Sequence, residues 1–291
     1  MNHFLGIDIG GTKLAWGLFD ANLQLSEHGR MPTPPDLEGL LAEIKDLATA
    51  QGEAEVVAIG LGIPGTHTKD RGSMLISPNI PYLNGVNILG ELKVLLPGIA
   101  ITYDNDARCA LVGEVVAGAA KNLRNAVLIT IGTGVGGAVL QRGHVLQHPD
   151  DITQELGHIP VDSMDAYTSP HSGRGTLEAF LGGKNLEERL DISLKEQVAL
   201  ARKDDTESLE IWAQIQEYMD RCLGALENTY NCETILVGGV ASNDLDLYLG
   251  DHELPCKVIP TKLGELSGLY GAAQLALDAW HDAKTGNELW V

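Results

Sequence analysis

Residues 4–13 read FLGIDIGGTK, and residues 14–20 read LAWGLFD. Two apolar runs joined by a glycine pair are typical of a β-hairpin with a tight turn. Because glycine has no Cβ, the backbone at Gly10 and Gly11 can approach a ligand closely. Successive N–H groups in such a turn, with the Thr12 hydroxyl beside them, form a concavity that binds anions. This stretch therefore predicts a hairpin whose turn binds phosphate.

The same pattern occurs again in the second half of the chain. Residues 126–131 are apolar, residues 132–137 read GTGVGG, and residues 138–141 read as the returning strand. One glycine-rich turn is a weak signal, but two turns that lie between strands and contain a threonine are a stronger one. Neither has the Gly-Lys-Ser/Thr ending of a P-loop. The repeat indicates a duplicated hairpin and hence two related domains.

The rest of the chain fits a two-domain α/β protein. Its 291 residues lie in the range of about 250–300 at which a single core usually stops growing, which favours two domains. Asp36 is placed as the N-cap of a helix, and residues 56–61, 99–103 and 234–237 are predicted strands. Alternating strands and helices favour a layered α/β architecture.

The composition excludes some partners. A formal net charge of −20 argues against nucleic acid or an anionic membrane, because both require clustered Lys and Arg. No apolar run approaches the roughly 20 residues of a membrane helix. The start of the chain has no signal-peptide pattern, and the four Cys form no CxxC pair, so a reducing cytoplasm is expected. The acidity does not exclude ATP, which backbone N–H groups and Mg²⁺ can hold.

Two acidic residues are candidates for chemistry. Asp8 lies inside an apolar run, where an acid is costly unless it is hydrogen-bonded, paired or near a metal. It either supports Mg²⁺ or buttresses the turn. Asp106 follows Asn105 at the end of a predicted strand, where a carboxylate can take the proton of an attacking hydroxyl. The alternative is an ordinary Asn-Asp turn.

Several polar residues in apolar turns can hydrogen-bond a sugar, although each one alone is more typical of a surface or capping residue. They are Asn79, Glu155, His158 and Glu178.

Taken in order, these motifs resemble the ROK family of bacterial sugar kinases and repressors, within the actin/Hsp70/hexokinase superfamily. The resemblance covers nearly the whole chain. It implies two ribonuclease-H-like, actin-like ATPase domains with an interdomain cleft. One domain is expected at residues 1–117 plus a last helix at about 274–291, and the other at residues 118–273.

The resemblance also implies which residues bind the two substrates. Asp106 is the catalytic base, and Mg²⁺ accompanies ATP near Asp8. The expected ATP-binding residues are Asp8, Gly10, Gly11, Thr12, Lys13, Gly132, Thr133, Gly134, Gly136, Gly238 and Gly239. The expected sugar-binding residues are Gly65, Asn79, Asn105, Asp106, Glu155, His158 and Glu178.

The implied activity is transfer of the γ-phosphate of ATP to the 6-hydroxyl of a hexose. Residues 17–20, 31–34, 104–106 and 152–155 are similar to the N-acetylglucosamine kinase and fructokinase branch, so N-acetyl-D-glucosamine is the expected sugar. Glucose, fructose and mannose remain alternatives. So do an inactive sugar-binding protein and an ATP-hydrolysing relative of chaperones. A DNA-binding repressor is not expected, because there is no room for its helix-turn-helix ahead of Leu5. A homodimer is expected from the resemblance alone.

The sequence departs from the family at a zinc-binding segment. Most members bind zinc through the histidine of the Glu-x-Gly-His motif and three Cys, whereas here residues 169–176 read SPHSGRGT. Structural zinc takes about four ligands, of which His158 and His171 supply at most two. We predict no structural zinc and a segment held by packing. The glycine-rich run that often precedes Glu155 is replaced by HPDD at residues 148–151, which affects sugar specificity.

Overall fold

The computed structural model describes residues 2–50, 55–68, 73–147, 155–165, 167–251 and 253–285. The expectations for residues 148–151 and for residues 152–154 concern positions outside these ranges. None of the helices within them has the length and apolar character needed to cross a membrane.

The chain divides into two compact units. The first consists of Met1–Lys121, Gln147–Thr153 and Glu265–Val291, and the second of Asn122–Leu146 and Gln154–Gly264. The expected division placed residues 1–117 and a last helix from about residue 274 in one domain, and here the first unit runs to Lys121 and resumes at Glu265.

The first unit is built on a five-stranded sheet of order β3-β2-β1-β4-β7. The pairs β1–β2 and β2–β3 are antiparallel, whereas β4 is parallel to both β1 and β7. The predicted hairpin and the strands after it are therefore confirmed. The elements of this unit before Lys121 are β1 (Asn2–Ile9), β2 (Lys13–Phe19), β3 (Leu25–Pro32), α1 (Leu37–Thr49), β4 (Glu55–Ile63), β5 (Thr66–His67), β6 (Met74–Ile76), α2 (Ile88–Leu95), β7 (Ala100–Asn105) and α3 (Asp106–Val116).

The second unit repeats this arrangement in a sheet of order β10-β9-β8-β13-β14. Again three strands are antiparallel neighbours, and two more follow in parallel. The repeated strand order confirms the predicted duplication. The elements are β8 (Ala126–Ile131), β9 (Val135–Gln141), β10 (His144–Val145), β11 (Thr168–Ser169), β12 (Gly173–Arg174), α4 (Leu177–Leu181), α5 (Gly183–Leu190), α6 (Leu194–Ala201), α7 (Thr206–Tyr230), β13 (Thr234–Gly239), α8 (Leu245–Leu249) and β14 (Lys257–Pro260).

Local sequence explains where the helices begin and which face they bury. The Asp36 side chain accepts a hydrogen bond from the Gly39 N–H, which confirms it as the N-cap of α1. In α7, one face is apolar, and its residues Trp212, Ile215 and Met219 are buried in the core of the second unit.

The last helix, α9 (Ser267–Thr285), packs on the sheet of the first unit with its backbone in direct contact. A Cβ added at Gly60 would lie 1.8 Å from the Ala272 carbonyl oxygen, and one at Gly271 would lie 1.8 Å from the Cys109 carbonyl oxygen. Only glycine permits such an approach. This contact begins at Ser267, which explains why the helix is not divided between the two units.

We predict that Gly60→Ala destabilises the protein by at least about 2 kcal/mol, because its methyl group would meet backbone that cannot move aside. Gly224→Ala in α7 is the matched control, since nothing lies within 4 Å of the added methyl. In this control the free energy of unfolding should rise by about 0.5–1 kcal/mol, because alanine has a higher helix propensity than glycine. Urea unfolding followed by circular dichroism measures both. A Gly60→Ala protein as stable as the wild type would contradict the backbone contact.

Candidate active site

The end of β7 and the start of α3 bring three predicted sugar-side residues together. Asn105 Oδ1 accepts from the N–H groups of Ala107 and Arg108 at 3.0 and 3.3 Å, so Asn105 caps α3. Its Nδ2 donates to the Gly65 carbonyl oxygen at 3.4 Å. Gly65 has φ +117°, and a Cβ there would lie 2.2 Å from the Ile76 carbonyl oxygen. The position therefore requires glycine.

Asp106 is the first residue of α3, and its Oδ1 accepts from the Ala107 N–H at 2.9 Å. The start of a helix is a favourable position for a negatively charged side chain. An ionised carboxylate can hydrogen-bond a hydroxyl and take its proton. The geometry at Asp106 is therefore suited to a general base.

A buried ion pair supports this corner, and the sequence analysis missed it. The Arg108 Nε lies 2.9 and 3.0 Å from the two carboxylate oxygens of Asp104. Asp104 Oδ1 also accepts from the Asn105 N–H at 2.7 Å. The available signal was an acid and an arginine four residues apart across a predicted strand end. Because breaking a buried pair leaves an uncompensated charge, this pair holds the backbone of Asn105 in place.

Asp8 lies in β1 in a space left by two glycines. A Cβ at Gly62 would be 3.3 Å from Asp8 Oδ1, and one at Gly268 would be 2.6 Å from Oδ2. Burial, and to a smaller extent the charge of Asp106, raises the pKa of Asp8 from 3.8 to about 7. A cation beside the carboxylate would favour its ionised form, so the surroundings of Asp8 fit the expected place of Mg²⁺.

The turn between β1 and β2 is held by hydrogen bonds on both sides of Gly10. The Gly10 N–H donates to the Lys13 carbonyl oxygen at 2.9 Å. The Thr33 hydroxyl donates to the Gly10 carbonyl oxygen at 2.6 Å, an anchor that the sequence analysis missed. A Cβ at Gly11 would lie 2.9 Å from the Asn79 carbonyl oxygen, so Asn79 adjoins the turn. Gly11, Thr12 and Lys13 are exposed and accessible to a ligand.

The corresponding turn of the second unit lies at the start of α5. The Gly132 N–H donates to the Gly134 carbonyl oxygen at 3.0 Å, which closes the turn. The Gly183 N–H donates to the Gly132 carbonyl oxygen at 2.8 Å. Thr133 is exposed at the tip, and Gly136 lies in β9 opposite Thr130.

Glu178 connects this turn to the sugar-side motif. It lies in the first turn of α4, and its Oε2 accepts from the Val135 N–H at 3.0 Å. A Cβ at Gly157 would lie 3.4 Å from the Glu178 Cβ. Glu155 and His158, which flank that glycine, are exposed. The second unit therefore places Glu178 against its phosphate turn, and Gly157 of the Glu-x-Gly-His motif against Glu178.

The predicted ATP-binding residues Gly238 and Gly239 lie at the carboxyl end of β13, beside β8. Gly239 has φ +73°, and a Cβ there would lie 2.3 Å from the Ile131 carbonyl oxygen. Because β8 and β13 are parallel neighbours, Gly238 and Gly239 share a sheet edge with the turn that begins at Gly132. The Thr261 methyl group would lie 3.2 Å from a Cβ at Gly238, and the Thr261 hydroxyl, which the sequence analysis missed, is buried without a partner among the described residues.

The segment that replaces the zinc-binding motif is held by hydroxyl groups rather than by packing alone. Ser172 Oγ and Thr176 Oγ1 are 2.6 Å apart, and Thr176 Oγ1 caps α4 by accepting from the Ala179 N–H. Nowhere in the described ranges do three or more His, Cys, Asp or Glu side chains form a group able to hold a metal. These donors do not fit structural zinc.

Comparisons with known proteins identify the family of the chain. The model of the ROK family matches residues 4–279, and the chain belongs to that family. It is 31% identical to an N-acetyl-D-glucosamine kinase of Yersinia enterocolitica, over 94% of this chain and 99% of that one. It is 27% identical to a glucokinase of Streptomyces coelicolor, over 95% and 98% of the two chains.

The structure is also similar to a solved one. A ROK family glucokinase from Streptomyces griseus, in complex with glucose and AMPPNP, matches with a TM-score of 0.79 and 25% identity, over 95% of this chain and 99% of that one. The family assignment and the actin-like α/β fold class are therefore confirmed. The roles of the individual site residues stay predictions.

We predict that Asp8→Asn stabilises the protein at high pH. The folded state holds the Asp8 proton more tightly than the unfolded chain, so the stability from the protonated form is full below about pH 4 and lost as the pH rises through about 7. Asparagine does not ionise. Without nucleotide or Mg²⁺, the variant should melt about 2–5 °C above the wild type near pH 8 and equally near pH 4.

Asp20→Asn is the control, because the pKa of Asp20 is shifted in the opposite direction: a hydrogen bond from the Gln24 N–H lowers it. This control should not gain stability at high pH. Differential scanning fluorimetry across the pH range measures all three proteins. A gain for Asp8→Asn that is equal at both pH values would contradict a raised pKa at Asp8.

Proposed function

We propose that this ROK-family sugar kinase transfers the γ-phosphate of ATP to the 6-hydroxyl of a hexose, with N-acetyl-D-glucosamine as its preferred sugar. The observation that carries the proposal is the Asp106 carboxylate at the start of α3, beside Asn105 and Gly65 and close enough to Asp8 for their charges to interact. The relative at 31% identity supports the choice of sugar, and the glucokinase at 27% makes glucose the main alternative.

In the proposed reaction, Asp106 accepts the proton of the 6-hydroxyl as that oxygen attacks the γ-phosphorus. The bond from the γ-phosphorus to the bridging oxygen breaks, and ADP leaves with the electron pair. The products are the sugar 6-phosphate, ADP and one proton on Asp106. Positioning and charge stabilisation account for most of the rate in reactions of this kind.

Each unit contributes a turn for the phosphates in this proposal. The N–H groups of Gly10 and Gly132 donate within the turns, so the other N–H groups of Gly10–Lys13 and Gly132–Gly134 donate to phosphate oxygens, and Gly238 and Gly239 leave room for the adenosine. Asp8 would hold the Mg²⁺ that accompanies ATP, and the ion would screen the phosphate charge.

The sugar is recognised by amide, carboxylate and imidazole groups. We assign Asn79 and Asn105 from the first unit, and Glu155, His158 and Glu178 from the second. Asn105 Oδ1 already caps α3, so its contribution to the sugar comes from Nδ2. Glu178 accepts from the Val135 N–H and the Ser169 hydroxyl and retains further lone pairs for a hydroxyl group. The homodimer and the cytoplasmic location stay predictions from the sequence.

The first test is ADP release with Mg-ATP and a panel of hexoses. We expect strong turnover with N-acetyl-D-glucosamine, and weaker turnover with glucose, fructose and mannose. Stronger turnover with glucose would reassign the sugar and keep the kinase. Thermal stabilisation by one sugar without any ADP release would instead favour the inactive sugar-binding protein.

Asp106→Asn should lower kcat by about 10²–10⁴ with a smaller effect on the KM for sugar, because the amide retains a hydrogen bond but cannot take the proton. Asp36→Asn is the matched control: it makes the same change of charge at another helix start, and asparagine caps a helix as well as aspartate does. Steady-state kinetics of both variants give the comparison. An Asp106→Asn enzyme with the kcat of the control would exclude Asp106 as the base.

A further inference from the structure

The Glu178 carboxylate has a buried donor that the proposed reaction does not use. The Ser169 hydroxyl donates to Glu178 Oε1 at 3.1 Å, while the Val135 N–H donates to Oε2 at 3.0 Å. Ser169 is 2% exposed and Glu178 is 9% exposed. Each carboxylate oxygen therefore has its own protein donor, shielded from water.

The hairpin of β11 and β12 fixes the direction of the Ser169 hydroxyl. Ser169 Oγ accepts from the backbone N–H groups of His171 and Ser172, both at 3.4 Å. A serine hydroxyl has one proton to donate and two positions at which it accepts. Because these two N–H groups fill the accepting positions, the hydroxyl proton is directed to Glu178.

The Glu178 carboxylate in turn supports the phosphate turn of the second unit. A Cβ at Gly134 would lie 2.4 Å from Glu178 Oε2, so the carboxylate is in direct contact with the turn. Rotation of the carboxylate would break its bond to the Val135 N–H, which immediately follows the turn. The backbone of Gly132–Gly134 depends on where Glu178 is held.

We infer that Ser169 is a positioning residue, whose hydroxyl holds the Glu178 carboxylate so that the Gly132–Gly134 turn keeps the backbone geometry that binds nucleotide phosphate. The inference rests on the proposed function for the identity of the ligand. Ser169 stands where the family motif has the first cysteine of its zinc segment. In this chain a hydroxyl–carboxylate hydrogen bond links that segment to the phosphate turn.

The test measures binding of AMPPNP with Mg²⁺ to the full chain by calorimetry. Ser169→Ala should raise the Kd for AMPPNP roughly tenfold, because a hydrogen bond to a charged acceptor is lost. Ser172→Ala is the matched control, since its hydroxyl lies in the same hairpin but pairs with Thr176 rather than with Glu178. Its Kd should stay within about twofold of the wild type, and Ser169→Thr, which keeps the hydroxyl, should retain most of the affinity.

A double-mutant cycle separates positioning from a general loosening of the hairpin. In a Glu178→Ala background the acceptor is gone, so Ser169→Ala should change the Kd by less than about twofold. An equal loss in both backgrounds would overturn the inference, as would a Ser169→Ala protein that binds AMPPNP like the Ser172→Ala control. A wild-type protein that binds no AMPPNP would overturn the proposed function itself, which is a distinct result.

Discussion

The close approach of α9 to the sheet and to α3 is the constraint on which the first unit depends. Glycines at positions 60, 113 and 271 place its backbone directly against β4 and α3. The same contact sets Gly268 against the Asp8 carboxylate. The fully buried Glu114 adds a polar link, because its two oxygens accept from the Ser267 hydroxyl at 2.7 Å and from the Ala119 N–H at 2.6 Å. The packing of α9 therefore also determines the electrostatic surroundings of Asp8.

The duplicated sheet gives each unit a turn of the same type, but the two turns are supported differently. In the first unit the Thr33 hydroxyl anchors the Gly10 carbonyl oxygen, and the neighbouring acid, Asp8, has a raised pKa. In the second unit the start of α5 donates to the turn, and a carboxylate held by two donors lies against it. A shared topology thus carries different chemistry, which is set by individual side chains.

Much of the fold could be predicted from local patterns, since the hairpins, the Asp36 cap and the apolar face of α7 depend on neighbouring residues. Within the first unit, Asn105 bonds Gly65 at the end of β7, and within the second unit, Glu178 lies against the Gly132–Gly134 turn. The Thr33 anchor and the extent of α9 could not be predicted, because they depend on contacts between residues far apart in the chain. The Ser169–Glu178 bond joins residues nine apart, but it depends on how the β11–β12 hairpin folds back onto α4. The loss of the cysteines was evident in the sequence, but the hydroxyl network that replaces them was not.

The identity of the product tests the proposed phosphate transfer to the sugar most directly. After incubation with Mg-ATP and N-acetyl-D-glucosamine, ³¹P NMR and ¹³C NMR show where the phosphate has gone. We expect a phosphate ester on the oxygen at carbon 6, formed in equal amount with ADP and only when the sugar is present. Release of ADP and inorganic phosphate without a sugar ester would contradict it and identify the protein as an ATP-hydrolysing relative instead.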